Sequence, residues 1–196
     1  MFHLYDTTLR DGSQQEGLTL SVEDKLQVAR LLDELGVTYI EGGWPGAVPK
    51  DTEFFARATS ELSLANARLA AFGATRKKDS VAKDDPQLQA LVNSGAPTVT
   101  LVAKADLRHV EAALCTSAEE NLAMVRESIE FLRGCDREVF IDAEHFFDGY
   151  AYDADYAVSV VAEALRAGAA MVILCDTNGG MPVSYTHLTL PTNREV

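Results

Sequence analysis

Two apolar periods alternate along this chain. Short continuous runs rich in Val, Ile, Leu, Phe and Tyr recur at Phe2–Tyr5, Val37–Ile40, Arg68–Phe72, Thr98–Val102, Glu138–Ile141 and Met171–Leu174. Runs of this kind suit strands buried on both faces of a parallel sheet. Between them, apolar residues fall three and four apart. In the first such stretch Val22, Leu26, Ala29, Leu32 and Leu35 share one predicted helical face. Ser21 precedes it as N-cap, Glu23 and Asp24 sit where the helix dipole favours negative charge, and Gly36 closes it in a left-handed turn. A later helix has Asp85 as N-cap, Pro86 at its first position and Gly95 past its end. Ser117 and Glu120 predict a capping box for a helix running through Leu122, Val125, Ile129 and Leu132 to Gly134. A last helix is predicted from Asp153 to Gly168.

The predicted order is therefore β-α-β-α-β-α-β-α-β-α-β, the signature of successive βα units in a parallel sheet. No G-x-G-x-x-G follows the first strand, which weakens a dinucleotide-binding, doubly wound reading. Polar groups stand at the carboxyl end of every strand: Asp6 to Asp11, Glu41 to Gly43, Thr75 and Arg76, Lys104, then Asp142, Glu144 and His145, and finally Asp176 to Asn178. They converge on one point only if the sheet closes, as in a (β/α)8 barrel with its site at the carboxyl face. The expected fold is an α/β (β/α)8 TIM barrel truncated after the sixth strand.

Charge and cysteine content narrow the class. The 196 residues carry 17 Lys and Arg against 30 Asp and Glu, a formal net charge of -13. Such a chain lacks the basic surface that sequence-independent nucleic-acid binding needs. No apolar run approaches the roughly 20 residues of a membrane span, and the opening MFHLYDTTLRD does not read as an export signal. Cys115, Cys135 and Cys175 lie far apart with no CxxC pair, so they are expected to be buried, reduced thiols in the cytoplasm.

Residues 182–196 break the pattern, with no helical face and three threonines among residues 184–192. This segment resembles the translation of a transposon-end sequencing adaptor, and residues 1–181 are taken as the barrel portion. A genuine extended strand is the alternative reading of the same residues. His187 lies in the suspect segment.

The run Leu9-Arg10-Asp11-Gly12-Ser13-Gln14 carries chemistry. An aspartate in a cleft can bind a hard divalent cation. The adjacent guanidinium can hold a carboxylate or a developing oxyanion. A purely structural ion pair at the barrel rim fits these six residues equally well.

Taken with Asp6, Thr7 and Thr8 before it, Glu16 and Gly17 after it, and Lys25 eleven positions beyond Gln14, this run resembles the N-terminal signature of a metal-dependent aldol/Claisen barrel family. That family includes 2-isopropylmalate, homocitrate and citramalate synthases and hydroxymethylglutaryl-CoA lyase. The segments Tyr39 to Gly46, Asp142 to Tyr150 and Leu174 to Gly180 resemble the citramalate synthase branch. The resemblance implies condensation of acetyl-CoA with pyruvate, or another small 2-keto acid, in isoleucine biosynthesis, by an acyltransferase that is a homodimer at full length. By the same resemblance Asp11 is a ligand of a divalent cation (Mg, Mn or Zn). Arg10 stabilises charge on the reacting oxygen and contacts substrate. Glu144 assists proton transfer, Thr177 hydrogen-bonds the keto-acid carboxylate, and Gln14 supports the substrate site. The structural alternatives are that Glu144 pairs with Arg10 and that Thr177 only shapes a turn. The family completes its metal site with a His-x-His pair, and this sequence contains none. The chain alone is therefore expected to be inactive.

Overall fold

The computed structural model describes residues 2–182. Its strands are β1 (Tyr5–Asp6), β2 (Tyr39–Gly43), β3 (Arg68–Ala74), β4 (Thr98–Lys104), β5 (Glu138–Glu144) and β6 (Met171–Leu174). All neighbours pair in parallel, in the order of the chain. The sheet curls through 237°, as in a TIM barrel truncated after the sixth strand. The main crossovers are α1 (Val22–Leu35), α2 (Pro49–Glu61), α3 (Pro86–Asn93), α5 (Ala118–Gly134) and α7 (Ala154–Ala167); α4 (Leu107–His109) and α6 (Phe146–Tyr152) are short. Residues 183–196, and with them His187, lie outside the described part.

The strands show why their sequence runs mix apolar and polar residues. Outward residues such as Ile40, Val99, Leu101, Val139 and Ile141 join the buried cluster formed with Leu26, Phe54, Leu91, Ile129 and Val160 of the helices. Each side chain of this size is worth about 1.5–3 kcal/mol when fully buried. Inward residues are the aromatic and polar ones. Tyr5, Tyr39 and Phe140 pack ring to ring at the amino end. Above them β4 and β5 pair Thr100 with Phe140, Val102 with Asp142, and Lys104 with Glu144. The period of two thus carries one face of β5 from an apolar floor up to two carboxylates.

The first helix forms as its sequence dictates, with one exception. Ser21 Oγ accepts from the Asp24 N–H at 3.1 Å, while the Asp24 carboxylate accepts from the Ser21 N–H at 2.8 Å. Gly36 closes the helix at φ 86°. Leu35, predicted on the buried face, is 74% exposed. At ~100° per residue it lies about 140° around the helix from Val22, whereas Asp33 falls almost on the Val22 line. Asp33 is accordingly buried, and its carboxylate accepts the N–H groups of Ala65, Asn66 and Ala67 at 2.7–2.9 Å. At Ser117 only half the predicted capping box forms. Its hydroxyl accepts from the Glu120 N–H at 3.2 Å, but the Glu120 carboxylate turns to Arg76 Nη1 at 2.7 Å.

Two further differences have plain causes. The short α4, the π-helical turn Val110–Leu114 and α6 carry too few residues for a periodic signal. The cysteines are unpaired as expected, but Cys115 is exposed and Cys135 and Cys175 are only partly buried. Cys115 sits in the left-handed conformation at the end of the π turn, at the surface rather than on a packed face.

In α6, a Cβ on Gly149 would lie 2.3 Å from the carbonyl oxygen of Ala105 and 2.8 Å from Cα of Asp106. Both are backbone atoms that cannot swing aside. Gly149→Ala is therefore expected to destabilise the chain by about 1–3 kcal/mol, read from urea unfolding. An unchanged midpoint would contradict this packing.

Candidate active site

The loop after β1 delivers its side chains by folding back on itself. Arg10 and Gly12 donate their N–H groups to the Thr7 carbonyl at 3.1 and 3.0 Å, and Ser13 Oγ donates to the Arg10 carbonyl at 2.8 Å. Arg10 is thereby turned inward. Its Nε donates to Glu41 Oε1 at 2.5 Å, its Nη1 lies 3.3 Å from Asp11 Oδ1, and its guanidinium carbon sits 3.9 Å above the Phe72 ring. Glu41 is fully buried. Its second oxygen accepts from the Tyr5 hydroxyl at 2.6 Å, and that hydroxyl lies 2.7 Å from Thr100 Oγ1. Burial pushes the Glu41 carboxyl up, against the opposing pull of Arg10 and of the Tyr5 hydrogen bond. Burial and the neighbouring Glu41 charge likewise raise the Tyr5 phenol.

On the facing strands Glu144 pairs with Lys104. His145 follows in the left-handed conformation, φ 55°, and its N–H donates to Thr177 Oγ1 at 2.9 Å. That bond occupies an acceptor site of the hydroxyl and leaves its hydrogen to donate elsewhere. Asp142 lies one inward position below Glu144. Burial first, and then the Glu41 charge, raise its carboxyl to about 7, with Arg10 opposing. Cys175 opposite is pushed up to about 12, by burial and then by Asp142 and Glu144.

Arg10, Asp11, Asp142, Glu144, Cys175 and Thr177 line one cleft of about 350 Å³, floored by Phe72 and Val102. Arg10, Asp11, Glu144 and Thr177, all singled out from the sequence, are therefore brought together. Gln14 stands exposed on the 3-10 turn Gly12–Gln14 and is not among the lining residues. The structural alternative for Glu144 is corrected, because Arg10 is held by Glu41 while Glu144 is held by Lys104. Thr177 bonds a residue 32 positions away rather than its own turn. Lys104, Glu41 and Asp142 were visible as strand-end polar residues, but their partners depend on strand register. Tyr5 gave no signal beyond its inward parity.

A second cavity of about 440 Å³ adjoins the cleft across Val102, which lines both. Its walls include Trp44, Leu114 and Met124, with Lys77 and Lys78 among its lining residues. As to a metal ion, no group of three or more His, Cys, Asp or Glu among the described residues could hold one. Of the carboxylates that line the cleft, Asp11 is the most open, its side chain 64% exposed. No helix among the described residues is long and apolar enough to cross a membrane.

Comparison with known proteins places this arrangement. The model of the HMGL-like family matches residues 1–190, and the chain belongs to that family. Among curated relatives, the (R)-citramalate synthase of Streptomyces coelicolor is 58% identical over 180 residues, covering 92% of this chain and 34% of the relative. The (R)-citramalate synthase of Aquifex aeolicus is 50% identical over 178 residues, covering 91% of this chain and 34% of that protein. The chain thus spans about a third of the length of these relatives. Among solved structures, a hydroxymethylglutaryl-CoA lyase from Pseudomonas aeruginosa superimposes with a TM-score of 0.72 at 24% identity, over 95% of this chain and 61% of that one. At that identity the likeness establishes the barrel fold alone.

The raised Asp142 carboxyl has a consequence for stability. Between the ordinary carboxylate pKa of about 4 and its own value of about 7, the native state holds a proton that the unfolded chain has released. The contribution of this group to stability is thus present at low pH and lost as pH rises through that window. Asp142→Asn removes the loss, so the variant is expected to gain stability over the native chain between pH 4 and pH 8, in urea titrations without divalent cations. A difference that does not vary with pH would refute the assignment.

Proposed function

We propose that this chain is the N-terminal part of a citramalate synthase, which condenses acetyl-CoA with pyruvate and releases citramalate and CoA. The observation that carries the reading is the convergence of Arg10, Asp11, Glu144 and Thr177 on one cleft. It is supported by similarity to two enzymes named (R)-citramalate synthase at 50% identity or more. The reading includes a cytoplasmic homodimer serving isoleucine biosynthesis, and an adaptor-derived origin for residues 182–196.

In this mechanism the Thr177 hydroxyl, already accepting from His145, donates its hydrogen to the pyruvate carboxylate. Arg10, fixed by Glu41 and Phe72, faces the keto oxygen and stabilises the negative charge that grows there. Glu144 accepts a proton from the acetyl methyl group, with Lys104 fixing its position. The carbon so freed forms the new bond to the keto carbon, the keto oxygen takes up a proton, and water cleaves the thioester. Asp11 would be one ligand of a divalent cation, which would supply Lewis-acid polarisation of the keto group. The Gln14 N–H donates to the Asp11 carbonyl at 3.0 Å and so closes the turn that carries this donor. The adjoining cavity, with its apolar wall and its lysines, accommodates the acyl-CoA arm.

Two experiments test the reading. The purified chain alone is expected to form no citramalate, since the described residues bring together no group of three or more His, Cys, Asp or Glu able to hold a metal ion. Residues 1–181 grafted in place of the matching segment of the S. coelicolor relative are expected to restore release of CoA from acetyl-CoA and pyruvate. In that chimera Glu144→Gln is expected to lower kcat by about 10²–10⁴. Preference for 2-oxoisovalerate would favour an isopropylmalate-type synthase. Failure to condense any 2-keto acid would favour a lyase and sink the proposal.

A further inference from the structure

Lys25 belongs to the N-terminal motif, yet no step of the reaction uses it. It is 1% exposed, among the largest fully buried side chains of the described residues. Its Nζ donates to the carbonyl of Gly42 at 2.9 Å and pairs with Asp51 of α2, itself 6% exposed. The other Asp51 oxygen accepts the N–H of Trp44 at 2.8 Å. Burial draws the Lys25 ammonium pKa down, and the Asp51 carboxylate opposes it.

A buried ion pair is a weak source of stability, because desolvation offsets most of the attraction and an apolar pair of equal volume often serves the fold as well. What an apolar pair cannot supply is direction. The pairing of β2 with β3 shifts register between Glu41 and Gly43. Gly43 there adopts φ 144°, and a Cβ on it would lie 2.4 Å from Cγ of Asp51. The charged pair serves the Gly42 carbonyl and the Trp44 N–H at this irregularity. Two site features leave from the same point. Glu41 enters the barrel and holds Arg10. Trp44 turns to wall the second cavity, its ring meeting Phe72 edge-on at 5.1 Å and its Nε1 donating to Gln87 at 2.7 Å. Phe72 in turn lies under Arg10.

We propose that Lys25 and Asp51 are a positioning pair for the site, fixing the β2 irregularity so that Glu41 and Phe72 hold Arg10 and Trp44 walls the neighbouring cavity. The proposal rests on the role given to Arg10 above, but its first test does not. Trp44 is the one tryptophan of the sequence, so intrinsic fluorescence reads this wall directly.

In the double variant Lys25→Met with Asp51→Leu, apolar side chains of similar length and branching replace the pair, and direction is lost. Cooperative melting should survive, while Trp44 emission moves to the red and acrylamide quenching rises. The same pair of changes in the chimera should lower kcat for pyruvate by about 10- to 100-fold, with a smaller change in KM. A double variant with native emission and native turnover would overturn the proposal and leave the pair a matter of packing only. Should circular dichroism show the double variant unfolded, Asp51→Asn decides. It keeps the shape and breaks the ion pair, and an unshifted emission would be equally fatal. If the chimera with native residues makes no citramalate, the functional reading falls, while the emission arm still settles the positioning role.

Discussion

The site depends on a carboxylate that never meets water. Glu41 is fully buried at the carboxyl end of β2, and burial of an unpaired carboxylate would cost more than the whole fold could spare. Its two oxygens are therefore committed, one to Arg10 and one to Tyr5. Those bonds dictate that the loop after β1 turns inward and that β1 lies against β2 with Tyr5 facing the barrel interior. Arg10 then has no freedom left. Its Nε is bound, Phe72 covers one face, and what remains open is the end that lines the cleft.

From that fixed guanidinium the electrostatics of the cleft follow. Asp11, Asp142 and Glu144 share its lining with Arg10, and Lys104 neutralises Glu144. Asp142 is left facing carboxylates, which together with burial explains why it holds its proton towards neutrality. An acidic cleft built around one rigid cation suits chemistry in which negative charge appears at a single atom.

Much of this was legible in the sequence, for physical reasons that can be named. Parallel strands buried on both faces announce themselves as apolar runs, and caps such as Ser21 and Asp85 mark where helices begin. The strand-end position of Arg10, Asp11, Glu144 and Thr177 sufficed to bring them together, because a curling parallel sheet gathers its carboxyl ends. Partnership was not legible. That Glu144 meets Lys104 and not Arg10 follows from the register of β4 on β5, which no local pattern encodes. Leu35 misled because spacings of three drift around a helix, and Glu120 because its carboxylate found Arg76 in another unit of the barrel. His145 enters α6 through a left-handed turn that residue identity rarely reveals.

The central claim, that Glu41 is what holds Arg10 in place, is tested most directly by a double-mutant cycle on the stability of the chain with Arg10→Met and Glu41→Leu. Each single change strands a buried partner, whereas the two together remove the pair, so a coupling of about 2 kcal/mol or more is expected. Strictly additive losses would mean that the two side chains do not depend on each other and would contradict the account.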